Sequence, residues 1–243
     1  MADLIRELQP CVVLTGAGMS TESGLPDFRS QAGIWAEVDP TEVATVDAFH
    51  RDPERVWAWY GPRIRSFLEV EPNPGHLALA ALERAGLVRA VVTQNIDTLH
   101  TRAGSENVVE VHGSIRRAVC LTCGGTEPLH GVLEQLERGS TPRCRACGAV
   151  LKPDVVLFGE LLPVQAIDSA ERLAREAALL VVVGSSLQVW PVAGLPDETL
   201  AHGGALAIVN REPTPYDRHA LLVETGPAGR TLAAAAQLLV SAG

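Results

Sequence analysis

With 243 residues, 47% of them hydrophobic, the chain can form one large domain, or one domain plus a small insert, around a sizeable core. Its formal net charge of −9 argues against a nucleic-acid partner, and leaves at most a weak attraction for basic, lysine-bearing segments of other proteins. No apolar run reaches membrane-spanning length and residues 1–10 lack a basic-then-apolar leader, so no membrane partner and a cytoplasmic location are expected.

Leu4, Ile5 and Leu8 outline a short amphipathic helix. Cys11-Val12-Val13-Leu14-Thr15 is brief, apolar and β-branched, as a strand buried on both faces is. It feeds into Gly16-Ala17-Gly18-Met19-Ser20. Glycines after a strand let the backbone turn sharply or approach a ligand, and amides at a helix start can cradle a diphosphate. The usual third glycine is replaced by Thr21, so a plain tight turn stands equally with a nucleotide loop. Residues 30–46 are poorly periodic and read as an ordered loop. Asp52-Pro53 starts a helix carrying Val56, Tyr60, Ile64 and Phe67 at helical spacing, with Pro62 expected to kink it or break it in two. A helix over 76–85 stops at Gly86. Apolar strands follow at 88–93, 108–111, 155–158, 179–183 and 205–209, with helices at 163–178 and 228–240. Such alternation predicts a parallel sheet covered by helices on both faces, with the ligand at the carboxyl ends of the strands.

Between Arg116 and Pro153 the composition changes. Cys120-Leu121-Thr122-Cys123-Gly124 and Cys144-Arg145-Ala146-Cys147-Gly148 are matched C-x-x-C pairs, each followed by a glycine suited to a tight turn. Their separation fits a zinc ribbon. Four thiolates close the coordination shell of one Zn²⁺, which makes it structural. Two unrelated redox pairs would leave the matched glycines unexplained. Cys11, alone in a strand, reads as a core residue.

Polar residues cluster where strands end. Gln94, Asn95, Ile96 and Asp97 follow Thr93, and Asp97 fits either a helix cap or a ligand contact. His112 precedes Gly113, and reads either as a structural histidine or as a general base. Tyr60 and Arg63 share one helix face. They read either as a core-edge tyrosine with a solvated arginine, or as a pair gripping a carboxylate.

The stretch from Gly16 to Arg29 resembles the sirtuin signature G-A-G-x-S-x-x-S-G-I-P-D-F-R, with Leu25 in place of isoleucine. Thr93 to Asp97 is similar to the same family's T-Q-N-I-D, and His112-Gly113 to its H-G. Pro153 to Glu160 resembles P-x-V-V-x-F-G-E, and Gly184 to Pro191 resembles G-T-S-L-x-V-x-P with Ser185 for threonine. The resemblance implies a Rossmann-like α/β domain over 1–40, 76–115 and 154–243, a helical module over 41–75 and a zinc-ribbon insert over 116–153, together forming one catalytic domain over 1–243.

It also implies an NAD-dependent protein-lysine deacylase, with NAD as cosubstrate and one structural zinc. The implied NAD contacts are Gly16, Ala17, Gly18, Ser20, Glu22, Asp27, Phe28, Arg29, Trp35, Gln94, Asn95, Ile96, Asp97, His112, Gly184, Ser185, Ser186, Asn210, Arg211, Glu212 and Ala228. The implied catalytic residues are His112, Asn95 and Asp97. The acyl-lysine substrate would be a protein or peptide bound by strand addition along Val156, Phe158, Gly159 and Glu160. Ala44, Tyr60 and Arg63 match the acyl pocket of the branch that includes desuccinylases, which adds succinyl and malonyl to acetyl as candidate groups. In the implied reaction the acyl oxygen displaces nicotinamide, His112 takes a proton from a ribose hydroxyl that attacks the resulting imidate, and one water completes the release of free lysine and O-acyl-ADP-ribose. Protein mono-ADP-ribosylation at the same site and a non-catalytic NAD-responsive binding module are the alternatives; intact Asn95, Asp97 and His112 argue against both.

Overall fold

Six parallel strands frame the molecule in the order β3-β2-β1-β7-β8-β9. They are β1 (Cys11–Thr15), β2 (Ala90–Thr93), β3 (Val108–Glu110), β7 (Leu179–Val183), β8 (Ala205–Val209) and β9 (Leu222–Glu224). A second, antiparallel sheet in the order β5-β4-β6 holds β4 (Gly113–Val119), β5 (Thr126–Pro128) and β6 (Lys152–Val155). This computed structural model describes residues 1–31 and 33–240. Position 32, within the predicted loop 30–46, and positions 241–243, at the end of the predicted 154–243 segment, lie outside the described residues.

Alternate side chains of each central strand enter opposite cores, as a twofold strand period requires. Val13, Val91 and Val181 pack with Ile5, Leu79, Leu82 and Leu232, from the helices Ala2–Glu7, Pro74–Arg84 and Ala228–Val240. Val12, Leu14, Val92 and Val182 face Ala170, Leu173 and Leu195, from the helices Val164–Glu176 and Leu195–Ala201. The predicted two-faced parallel sheet is therefore present. Cys11 is fully buried in the first of these cores, and burial pushes its thiol up to about 12, as expected of an inert core residue.

A third core joins the remaining pieces. Val56, Trp57, Tyr60 and Ile64 of the helix Pro53–Glu69 pack on Ile115, Val132, Leu151 and Leu157 around the antiparallel sheet. The Trp57 indole donates to the Leu151 carbonyl at 2.6 Å and fixes the helix to that lobe. Pro62 does not break this helix in two: it runs unbroken from Pro53 to Glu69. The proline removes one interior hydrogen bond, and the buried stripe on both sides of it compensates.

Two other expectations are corrected. The predicted strand 155–158 is displaced to Lys152–Val155, which pairs with β4. Past Val155 the successive amides turn to three unrelated acceptors, so no ladder continues: Val156 N–H to the His112 carbonyl, Leu157 N–H to the Glu160 carboxylate, and Phe158 N–H to the Ala44 carbonyl. The predicted loop 30–46 contains the helix Pro40–Val43, opened by Asp39 accepting from Thr41 N–H at 2.8 Å. That is the same Asp-Pro start found at Asp52-Pro53, on a segment too short to show periodicity. Periodicity also missed the helices Val46–Arg51, Leu99–Arg102, Leu129–Glu137 and Leu195–Ala201 and the strands β4, β5 and β9. Among the described residues, no helix is long and apolar enough to cross a membrane.

Candidate functional site

The order of the parallel sheet reverses direction between β1 and β7, and a crevice forms outside the carboxyl ends of strands at such a point. A cleft of ≈ 670 Å³ opens there. Every residue predicted to hold cofactor or substrate lines it except Glu22. Glu22 instead turns to the start of the last helix, where its carboxylate accepts from Gly229 N–H at 2.6 Å. A carboxylate at a helix N-terminus satisfies an orphan amide and meets the positive end of the dipole.

The two loops at the reversal touch backbone to backbone. Gly16 N–H donates to the Val183 carbonyl at 3.0 Å and Gly18 N–H to the Gly184 carbonyl at 2.9 Å. A Cβ on Gly16 would come within 2.7 Å of the Gly184 carbonyl oxygen, and one on Gly18 within 2.8 Å of the Gly184 Cα. Gly184 itself sits at φ +60°, its missing Cβ 2.3 Å from Met19 N. The first two glycines are thus required by loop-to-loop contact. Their amides are committed to carbonyls and are not available for a diphosphate, contrary to the expectation from the sequence. The segment that follows, Ala17–Ser23, is a 3₁₀ helix.

A polar network lines the floor. Asn95 Nδ2 donates to the Gly16 carbonyl and to Ser20 Oγ, both at 3.1 Å, and Ser20 Oγ donates to Asp97 Oδ2 at 2.6 Å. Asp97 Oδ1 accepts from Leu99 N–H at 2.9 Å, so this residue caps the next turn and faces the cleft at once. Burial pushes the Asp97 carboxyl up, against the lowering effect of these hydrogen bonds. Gln94 Nε2 donates to Ser185 Oγ at 2.8 Å, joining the β2 and β7 loops. Underneath lies a buried chain that the sequence reading did not assign: Thr15 Oγ1 donates to Thr93 Oγ1 at 2.8 Å and lies 2.9 Å from His100 Nε2. The available signal was a threonine closing each of two apolar strands.

His112 Nδ1 lies 3.0 Å from the Gln94 carbonyl oxygen. A carbonyl only accepts, so Nδ1 carries the proton and Nε2 keeps its lone pair. Burial lowers the His112 pKa below the usual 6.5, and the charge on Arg29 adds to this, outweighing the bond to Gln94. The imidazole is therefore neutral at physiological pH and competent to accept a proton.

Aromatic rings form the opposite wall. Trp35 stacks on Trp59 at 5.8 Å and 10°, Phe28 lies 5.2 Å from Trp35, and Tyr60 meets Trp59 edge-on at 4.6 Å. Arg63 is not a solvated arginine. Its guanidinium lies 3.9 Å over the Trp59 ring and donates to the Trp59 carbonyl at 3.0 Å. Burial pushes the Tyr60 hydroxyl up, so it remains a hydrogen-bond donor. Trp59, absent from the predicted site, thus holds both Tyr60 and Arg63 from beneath; the sequence signal was the aromatic concentration at 57–60. Ala44, buried, lines the same end of the cleft. Asn210, Arg211, Glu212 and Ala228 line the other, beyond β8, with the Asn210 side chain donating to the Glu212 carbonyl at 2.7 Å.

The four predicted metal ligands converge away from the cleft. The sulfurs of Cys120, Cys123, Cys144 and Cys147 all lie within 4.8 Å of one another. Cys120 to Cys147 is 3.5 Å and Cys123 to Cys144 is 3.6 Å, far too long for disulfides and close to the edge of a tetrahedron with arms of about 2.3 Å. Both knuckles have the same backbone: Gly124 N–H donates to the Cys120 carbonyl and Gly148 N–H to the Cys144 carbonyl, with φ of +71° and +77° at the glycines. The site fits a structural zinc.

The Sir2 family model matches residues 16–191 of this chain. An NAD-dependent protein deacetylase of Sulfolobus acidocaldarius is 46% identical over 224 residues, covering 92% of this chain and 87% of that one. The chain belongs to the Sir2 family. An NAD-dependent protein deacylase of Thermus thermophilus is 48% identical, over 87% of this chain and 83% of its own. A solved Sir2 structure with deacetylated p53 peptide and 3′-O-acetyl ADP-ribose superposes with a TM-score of 0.93 at 40% identity, covering 98% of this chain and 96% of that one. The Sir2 membership accords with the parallel sheet, the cleft at its reversal and the four-cysteine lobe.

Metal analysis of the purified Sir2 protein is expected to give one zinc per chain. Cys144→Ser loses it and lowers the melting temperature by on the order of 10 °C or more, because metal-binding energy in such a site is folding energy. A metal-free wild type with an unchanged melting temperature contradicts this.

Proposed function

We propose that this Sir2-family chain is an NAD-dependent protein-lysine deacylase that removes acetyl, succinyl and malonyl groups. The observation that carries the reading is His112: a neutral imidazole, its tautomer set by the Gln94 carbonyl, on the floor of the cleft that opens at the sheet reversal. The similar Sir2 structure, which carries a deacetylated peptide and an acetyl ADP-ribose, supports the same reaction here.

NAD, the second substrate, supplies the ribose that takes over the acyl group as nicotinamide leaves, and one water is consumed as the lysine is freed. His112 Nε2 accepts a proton from a ribose hydroxyl, and the Gln94 carbonyl steadies the imidazolium that results. Asn95 and Asp97, pre-oriented by Ser20 and the Gly16 carbonyl, hold the nicotinamide end. Ser185 and Ser186 after β7, and Asn210, Arg211 and Glu212 after β8, line the stretch suited to the rest of the dinucleotide. Phe28, backed by Trp35, shields the reactive ribose face.

The acyl-lysine peptide lies along residues 156–160 by strand addition. With the amides of Val156, Leu157 and Phe158 already engaged, Gly159 is the position at which its backbone would pair. Backbone pairing tolerates many sequences, so many proteins serve as substrates. Tyr60 and Arg63 bind the terminal carboxylate of a succinyl or malonyl group, and Ala44 leaves room for it. In domain terms the NAD-binding part is 1–40, 76–115 and 154–243, with the helical module 41–75 and the zinc ribbon 116–153 inserted into it. The core shared by those two inserts supports treating them as one lobe. The protein acts in the cytoplasm, without nucleic acid or membrane.

His112→Ala is expected to lower deacylation by about 10²–10⁴-fold, as loss of a general base does. Because the His112 pKa is depressed, the acid limb of kcat/KM in the wild type lies below the usual 6.5, and activity is retained as pH falls through that value. A limb centred above it contradicts the assignment. Arg63→Met is expected to cut succinyl-lysine turnover by about 10–100-fold and to leave acetyl-lysine turnover little changed, as removal of a charge-assisted bond would. Equal losses on both peptides would remove the carboxylate clamp.

A further inference from the structure

Lys152 is the only lysine in the chain, against nineteen arginines, and it is buried. A buried ammonium survives only where it is paired and hydrogen-bonded. Here its Nζ donates to the Pro153 carbonyl at 3.1 Å, to the Val155 carbonyl at 2.6 Å and to Glu160 Oε2 at 3.0 Å. The same Oε2 accepts from Leu157 N–H at 2.8 Å, and Glu160 N–H returns to the Leu157 carbonyl at 3.0 Å. One ammonium and one carboxylate thus close the segment from Val155 to Glu160 into a ring.

What that ring presents is the cleft edge. At one end Val156 N–H donates to the His112 carbonyl at 2.8 Å; at the other, Phe158 N–H donates to the Ala44 carbonyl at 2.8 Å and the Phe158 carbonyl accepts from Val46 N–H at 3.0 Å. The segment therefore ties the backbone of the proposed base to that of the proposed acyl pocket. Gly159, between this tie and Glu160, sits at φ +91°.

We propose that Lys152 is a positioning residue for the deacylation: its ammonium joins Val155 to Glu160 and so holds residues 156–159 in the shape that receives the acyl-lysine peptide, in register with His112 and Ala44. The inference rests on the deacylase reading, which assigns this edge to the peptide. Lys152 lies behind the edge and acts through Glu160 and the backbone.

The test is steady-state kinetics with acetyl-lysine peptide and NAD varied separately, for wild type, Lys152→Met, Glu160→Gln and the double variant. Lys152→Met is expected to raise the peptide KM by about tenfold or more while the NAD KM stays within about twofold, since only the peptide edge loses its brace. Glu160→Gln, which keeps the shape and removes the charge, moves the peptide KM the same way. The double variant is no worse than the worse single one, because both changes cut one tie. It also leaves no lone charge in the interior, so it reports even where Lys152→Met fails to fold. Equal rises in both KM values, or an unchanged peptide KM, overturn the positioning role. A wild type that turns over no acyl-lysine peptide overturns the deacylase reading instead.

Discussion

At the head of the sheet two loops meet with no side chain between them. The chain leaving β1 through Gly16, Ala17 and Gly18 lies directly on the chain leaving β7 through Gly184, and any Cβ at the three glycines would fall within 2.3–2.8 Å of the facing backbone. Only glycine permits that approach. The polar floor of the cleft is referenced to it. Asn95 holds the Gly16 carbonyl, Gln94 reaches from the Thr15 carbonyl to Ser185, and Ser20 carries the line on to Asp97. Loosening this joint would move the floor, His112 and the Asp97 carboxylate together.

The wall opposite the floor depends on a different chain of contacts. Immediately after His112 the backbone turns at Gly113, at φ +74°, where a Cβ would lie 2.3 Å from the Asp154 carbonyl oxygen. It then enters β4 of the antiparallel sheet, which the cysteine knuckles close. That lobe holds the helix Pro53–Glu69 through Trp57 on the Leu151 carbonyl, and the helix presents Trp59, Tyr60 and Arg63 to the cleft. A four-cysteine zinc site remote from the cleft thereby shapes the wall that carries Tyr60 and Arg63, through packing.

Much of this was legible in the residues because the physical demands are local. Buried parallel strands need continuous apolar runs, and β1, β7 and β8 were read at their observed limits. Tetrahedral thiolate sites need paired cysteines and permissive glycines, and Gly124 and Gly148 have the left-handed backbone that their spacing implied. Misreadings arose where distant parts of the chain decide. Gly16 and Gly18 looked like a phosphate cradle because the sequence does not show Gly184 lying against them. Glu22 matched a cofactor motif but serves the helix that begins near Gly229, some two hundred residues on. Val156 to Phe158 has strand composition, yet its amides are claimed by His112, Glu160 and Ala44. The wedge of Trp59 under Arg63 depends on Pro62 leaving the helix intact, an outcome set by the third core and not by propensity.

The central claim is that the cleft transfers an acyl group from lysine to the ribose of NAD. Incubation of the wild type with NAD and acetyl-, malonyl- and succinyl-lysine peptides, followed by mass analysis of peptide and nucleotide products, tests it directly. The account predicts a peptide lighter by its acyl group, with one nicotinamide and one O-acyl-ADP-ribose formed for each lysine freed. A peptide that gains ADP-ribose and keeps its acyl group, or nicotinamide release that does not depend on the acyl-lysine, would contradict it.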